Sequence, residues 1–201
     1  MTTVYFIRHA EADNSVRDGR ARPLTEKGMD DRALVTAFLR DKGIDAVLSS
    51  PFRRAVDTVA GFAQQYGFPV ETMEGFREQR SSSDWNGHNK TKDEFFAYLE
   101  RQWADPSFKL TDGESLAEVQ ERNIAALRKV LAKYRGKTVA IGTHATALCA
   151  ILNYYDRSYG FADFMAMLNY LPWAVRMDFC GERVIKMEKI NLCGKAEGCG
   201  A

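Results

Sequence analysis

Apolar residues fall along the chain in short runs that alternate with longer stretches of helical periodicity. Residues 4–7 form a compact apolar run and predict a first strand. After a turn-rich stretch over 13–23, Thr25 is placed to N-cap a helix. The apolar face of that helix is expected to use Met29, Ala33, Leu34, Ala37 and Phe38, with Gly43 as its stop. Residues 46–48 predict a second strand. Ser50-Pro51 reads as an N-cap followed by proline at the first helical position, opening a helix to about Tyr66. A weaker third strand is expected over 68–73.

Residues 76–110 break this rhythm. They are polar and aromatic, with Ser81-Ser82-Ser83, Trp85 and a helical pattern from Lys92 to about Trp103. Ser115 and Glu118 then make a capping box for a long amphipathic helix carrying Leu116, Val119, Leu127, Val130, Leu131 and Tyr134, which Gly136 ends. A strand follows over 138–142, and Thr143-His144 opens an apolar helix to about Tyr154. Residues 173–180 and 183–190 predict an antiparallel pair turning at Gly181-Glu182. This alternation predicts an α/β fold, a three-layer α/β/α arrangement on a mostly parallel sheet. With no internal repeat and no linker, one domain is expected over 1–190. Residues 79–113 are expected to form a small cap insertion, and 191–201 a flexible C-terminal tail.

Composition narrows the function classes. At 201 residues, with 45% apolar and 27% charged positions, the chain can bury a full core without staples. Its net charge of +1 argues against a nucleic-acid or membrane-surface partner. No apolar run approaches the roughly 20 residues of a bilayer span. The first nine residues lack the basic start of a leader and read as a strand, so a cytoplasmic protein is expected. Cys149 and Cys180, in apolar segments, read as reduced core thiols; Cys193 and Cys199, in a Gly-rich stretch, match no zinc spacing. The oligomeric state is open: the last two strands could pair across a homodimer or form a free edge.

In open α/β sheets, ligands bind beyond the carboxyl ends of the strands. The first strand delivers Arg8-His9. The second delivers Ser49-Ser50, then Arg53-Arg54 in the first turn of a helix. The fourth delivers Thr143-His144 at a helix start. If these strands are neighbours, two imidazoles and at least two guanidiniums meet beside two helix N-termini. Such a place suits an anion, and a phosphoryl group best. Of His9, His88 and His144, two fall at strand-to-helix junctions, which favours a site over two unrelated structural histidines. Other chemistries lack their residues. The chain has no phosphate-binding glycine loop ending in Lys-Ser/Thr, no Gly-x-Ser-x-Gly elbow and no His-Glu-x-x-His. Nor is any cysteine followed by arginine six residues later. Its three histidines and scattered carboxylates form no recognisable metal set, so neither metal nor cofactor is expected.

Taken in order, Arg8-His9-Ala10-Glu11, Leu24-Thr25-Glu26-Lys27-Gly28, Ser49-Ser50-Pro51-Phe52-Arg53-Arg54-Ala55-Val56-Asp57-Thr58, Gly113-Glu114-Ser115 and Thr143-His144-Ala145 resemble the histidine phosphatase superfamily. The similarity is to the branch of phosphoglycerate mutase and covers about residues 3–150. It implies that His9 is the nucleophile that becomes phosphohistidine, that Arg8 and Arg54 clamp the phosphate, and that His144 is the second pocket histidine. By the Arg-Ala-x-x-Thr register Arg54, not Arg53, is the clamp. Glu78 matches the proton donor, with Asp84 as the alternative. The chain departs from the family pattern at Ala10, where Gly is usual, and at Ala12, where Thr is usual. The Glu78-to-Trp85 spacing is about one residue longer than usual, and Asn86 stands where Glu is frequent.

The function implied is a metal-independent phosphomonoester hydrolase acting on a small phosphorylated metabolite. The alternatives are mutase-type phosphoryl transfer, a protein phosphohistidine phosphatase and a non-catalytic phospholigand-binding module. Asn14, Arg80, Trp85 and His88 are candidates for substrate binding. Arg80, His88, Lys90 and Lys92 are placed to meet a second anionic group and Trp85 to stack on a base or sugar, although a solvated basic face is an equal reading.

Overall fold

A computed structural model of the chain describes residues 1–85 and 91–193. Six strands form one sheet: β1 (Thr2–Arg8), β2 (Ala46–Ser49), β3 (Val70–Thr72), β4 (Thr138–Thr143), β5 (Trp173–Cys180) and β6 (Arg183–Asn191). Their order is β3-β2-β4-β1-β5-β6. β3, β2, β4 and β1 run parallel, while β5 is antiparallel to β1 and to β6. The sheet is therefore mostly parallel, with an antiparallel hairpin added at one side.

Helices cover both faces, as alternation along the central strands requires. Tyr5 and Ile7 of β1 point to one face. There they pack with Val35 and Leu39 of α1 (Glu26–Leu39) and with Val59, Phe62 and Ala63 of α2 (Arg53–Tyr66). Val4 and Phe6 point to the other. That face is covered by α3 (Lys92–Ala104), α4 (Leu116–Lys133), α5 (Ala145–Tyr155) and α6 (Phe161–Leu168). From α3, Tyr98 and Leu99 enter this same core. Thr91 with Glu94 and Ser115 with Glu118 form the capping boxes that start α3 and α4. Among the described residues no helix is long and apolar enough to cross a membrane.

Four expectations are corrected. The buried face of α1 is Gly28, Val35 and Leu39, whereas Met29 and Leu34 are exposed. Gly28 sets that rotation: a Cβ there would lie 2.1 Å from the Glu11 carbonyl oxygen, so the helix rests its glycine on the β1–α1 loop. α2 starts at Arg53 with Phe52 as N-cap, and Ser50 is spent elsewhere. α6 has no counterpart in the sequence pattern. Cys180 is exposed at the turn into β6 rather than buried. Cys149 is buried, and Cys199 lies outside the described residues. Asn191 closes β6, and the Cys193 thiol donates to the Leu171 carbonyl.

Candidate active site

Strand register brings the two junction histidines together. Arg8 of β1 pairs with Thr143 of β4, and the His9 N–H donates to the Thr143 carbonyl at 3.0 Å. The next residues on each strand are His9 and His144, whose ring centroids lie 5.3 Å apart. β2 is in register on the other side of β4, with Ser49 beside Gly142. A Cβ at position 142 would meet Ser49 Oγ at 2.7 Å and the Ala55 carbonyl at 2.8 Å, so glycine lets β4 lie against β2 and the start of α2.

His9 is oriented by its own backbone. Nδ1 lies 2.7 Å from the Ala10 carbonyl, which can only accept, so Nδ1 carries the proton and Nε2 keeps its lone pair. Burial holds the imidazole well below its ordinary pKa, and the nearby Arg54 and Arg8 push it the same way. His9 is thus neutral at neutral pH. Ala10 is buried in an ordinary backbone conformation, since no residue other than glycine has a positive φ among those described. Its N–H donates to the Thr58 hydroxyl at 3.0 Å, and that hydroxyl donates to the Arg54 carbonyl at 2.7 Å. One threonine therefore joins the His9 loop to α2.

His144 N-caps α5 and is fully buried. Its Nε2 is 2.7 Å from Ser50 Oγ, which also accepts from the Phe52 N–H. Its Nδ1 is buried without a hydrogen-bond partner. Burial, then Arg54, hold this imidazole neutral as well.

The two clamp candidates are fixed by carbonyls. Arg8 donates from Nη1 to the carbonyls of Met167 (2.7 Å) and Tyr170 (2.9 Å), at the end of α6. Its buried Nε has no partner. Burial lowers Arg8 to about 10, with Cys149 and Glu78 opposing, so it stays charged at neutral pH. Arg54 is 6% exposed, donates to the Gly19 carbonyl and lies 5.2 Å from the Phe52 ring. Arg53 points outward to Asp57, with 61% of its side chain exposed, so Arg54 is the arginine that faces the pocket.

Glu78 sits on the N-terminus of α5. It accepts from the N–H groups of Thr146 (3.2 Å), Ala147 (3.1 Å) and Gln79 (2.8 Å). The buried Glu114 holds its loop. Glu114 accepts from Arg77, Arg122 and the Arg80 N–H, while Arg77 and Arg122 also donate to the Glu78 carbonyl. Burial would raise the Glu114 carboxyl, but the Arg77 and Arg122 hydrogen bonds hold it down at about 2.

The other candidates lie further out. Asp84 accepts from Ser82 and Thr111. Asn14 is exposed and accepts from Arg22, so it braces an arginine rather than lining the pocket directly. Arg80 donates from Nε to the Asp112 carbonyl at the cleft mouth. Asn86, His88 and Lys90, with the side chains of Trp85 and Lys92, lie outside the described residues. Ser50, Thr58, Glu114 and Arg122 were not singled out as site residues from the sequence. Ser50, Thr58 and Glu114 stand within the recognised motifs, which is the signal the sequence offers for them, whereas Arg122 stands in none of them.

Arg54 and the Glu78 carboxyl line a cleft of about 560 Å³, and the adjoining strand ends add a neutral imidazole with a free lone pair at His9, the Arg8 guanidinium and the unpartnered Nδ1 of His144. A phosphoryl group is the ligand this set matches. Comparison with known proteins agrees. The family model described as histidine phosphatase superfamily (branch 1) matches residues 4–167. The chain is 28% identical over 156 residues to the uncharacterized phosphatase PhoE of Bacillus subtilis, covering 76% of each chain. It is 28% identical over 159 residues to the probable phosphoglycerate mutase GpmB of Citrobacter koseri, covering 76% of this chain and 74% of that one. The solved structure of Bacillus stearothermophilus YhfR superposes with a TM-score of 0.75 at 25% identity, over 92% of this chain and 94% of the other. The chain belongs to branch 1 of the histidine phosphatase superfamily.

Proposed function

We propose that the protein is a metal-independent phosphomonoester hydrolase that works through a phosphohistidine at His9 on a small phosphorylated metabolite. The observation that carries this reading is the His9 hydrogen bond: with Nδ1 tied to the Ala10 carbonyl, Nε2 is left as a neutral nucleophile. In the first half-reaction Nε2 attacks phosphorus and the P–O bond to the alcohol breaks. The leaving alkoxide takes the proton of a protonated Glu78. In the second, water attacks phosphorus, Glu78 recovers a proton from that water, and the P–N bond breaks to return neutral His9 and orthophosphate. Arg8, Arg54 and His144 hold the equatorial oxygens in both steps. Glu78 lines the cleft together with Arg54 whereas Asp84 does not, which favours Glu78 as the acid.

The test is hydrolysis of p-nitrophenyl phosphate in excess EDTA, wild type beside His9→Ala. Turnover in the wild type, lost by about 10³-fold or more in the variant, is the expected result. Activity that survives in His9→Ala overturns the nucleophile. Transfer of the phosphoryl group to a second alcohol without release of orthophosphate makes the protein a mutase.

A further inference from the structure

The outer side of α1 carries an apolar stripe that its own core does not use. Gly28, Val35 and Leu39 face the sheet, while Met29, Ala33 and Ala37 follow one another at helical spacing on a side that is exposed. They line a groove of about 540 Å³ between α1 and α2, with Tyr66 of α2 on its far wall. The two helices lie close along this groove, since a Cβ at Gly61 would meet Thr36 Oγ1 at 3.2 Å. Met29 and Tyr66 are large and apolar, yet 41% and 39% exposed. Grouped in one groove with charged residues at its rim, they mark a surface for a partner.

The order of residues on the stripe says which partner. Taken one step further at each end it reads Glu26, Met29, Ala33, Ala37 and Arg40, all exposed. The spacings are three, four, four and three residues, a palindrome about Ala33. A second α1 laid antiparallel across a two-fold axis at Ala33 sets Glu26 opposite the partner's Arg40, Met29 opposite the partner's Ala37 and Ala33 opposite itself. Each contact then occurs twice, as a two-fold interface requires. The long thioether meets a small side chain and has the groove beside it to enter. Each acidic end meets a basic end, and the helix dipoles favour the same antiparallel sense. No charged residue of α1 comes level with a like charge in this register. Arg40 lies 3.5 Å from its neighbour Asp41 with both side chains largely exposed, a pair too weak to hold it back.

The free edge of the sheet is a poorer seat for a second copy. β6 carries Ile185 as an extra residue where β5 steps from Asp178 to Phe179, and Lys186 and Lys189 follow it. A bulge and lysines are means by which edge strands avoid pairing.

We propose that the protein forms a two-fold homodimer in which α1 packs antiparallel on α1 of a second copy, with Ala33 at the axis and Glu26 paired to the partner's Arg40. None of these residues lines the cleft beside His9, so the proposal stands apart from the phosphatase reading.

Sedimentation velocity on the full chain from about 1 to 200 µM tests it. The wild type is expected to pass from one to two chain masses within that range. Ala33→Arg sets two guanidiniums face to face on the axis and is expected to weaken the dimer by about a hundredfold or more, with its melting temperature measured to establish folding. Glu26→Arg is expected to raise the dimer Kd by about tenfold, and Glu26→Arg/Arg40→Glu to bring it back within about threefold of the wild type. A wild type that remains one chain at the top of the range overturns the proposal. A dimer that persists in folded Ala33→Arg overturns it too, because the contact then lies on another face. A double reversal that restores nothing overturns the Glu26–Arg40 register. If Ala33→Arg does not fold, the two charge reversals decide alone.

Discussion

Single side chains fix the chemistry here through their second hydrogen bonds. Thr58 is the clearest case, because its one hydroxyl both accepts from Ala10 and donates to Arg54. Thr58→Val keeps the shape and removes both bonds, leaving the Ala10 N–H buried and unpaired. Stability is expected to fall by about 1–3 kcal/mol in urea denaturation, and kcat with it, while Thr58→Ser restores kcat. The neutral histidines have a pH consequence. Both are held well below 6.5 in the folded protein, so below that value the unfolded chain binds more protons. Stability should therefore decline as pH falls through about 6.5, by up to about 1.4 kcal/mol per unit for each histidine. Denaturation at pH 7.5 and 5.5 measures this slope, and His9→Gln should lessen it. For the same reason kcat/KM should show no loss near pH 6.5 of the kind a titrating free imidazole gives. That His9 and His144 stand at adjacent strand ends, with Arg54 in the first turn of α2, was legible from the strand-to-helix junctions and the motif order. The proton position on His9 and the Ser50–His144 contact were not, since both depend on strands distant in sequence lying in register.

Elements were legible where their period is long. α4 and α5, with eight buried residues each, match the helices expected from their apolar spacing. α6 escaped because its eight residues complete little more than two turns, too few for a helical period to be read from the apolar spacing. Yet its end supplies the carbonyls that hold Arg8. The face of α1 was misjudged because a glycine contact, rather than the apolar side chains, sets its rotation. Gly28→Ala drives a methyl into the Glu11 carbonyl. A loss of about 3 kcal/mol is expected, and a melting temperature unchanged from wild type would contradict this account.

Across the whole molecule the sheet and the polar clusters divide the labour. Sheet and helices supply the two large apolar clusters, one on each face, and Glu114 with Arg77 and Arg122 ties the loop carrying Glu78 to α4. Glu114→Gln strands two partly buried guanidiniums and should cost about 3 kcal/mol at pH 7. Because the carboxyl is held down at about 2, its contribution is complete above 4.5 and is lost as pH falls from there towards 2. In the Gln variant that acid-dependent part of the stability curve should flatten. The order of the strands has a consequence for synthesis. β4 lies between β2 and β1, although it follows both in the chain by roughly ninety residues or more. His9 and Arg54 become neighbours only when this late strand slides between their own. A ribosome-bound chain that has not yet released residue 143 holds both groups without the strand that joins them, so phosphate binding is expected only after β4 has entered the sheet.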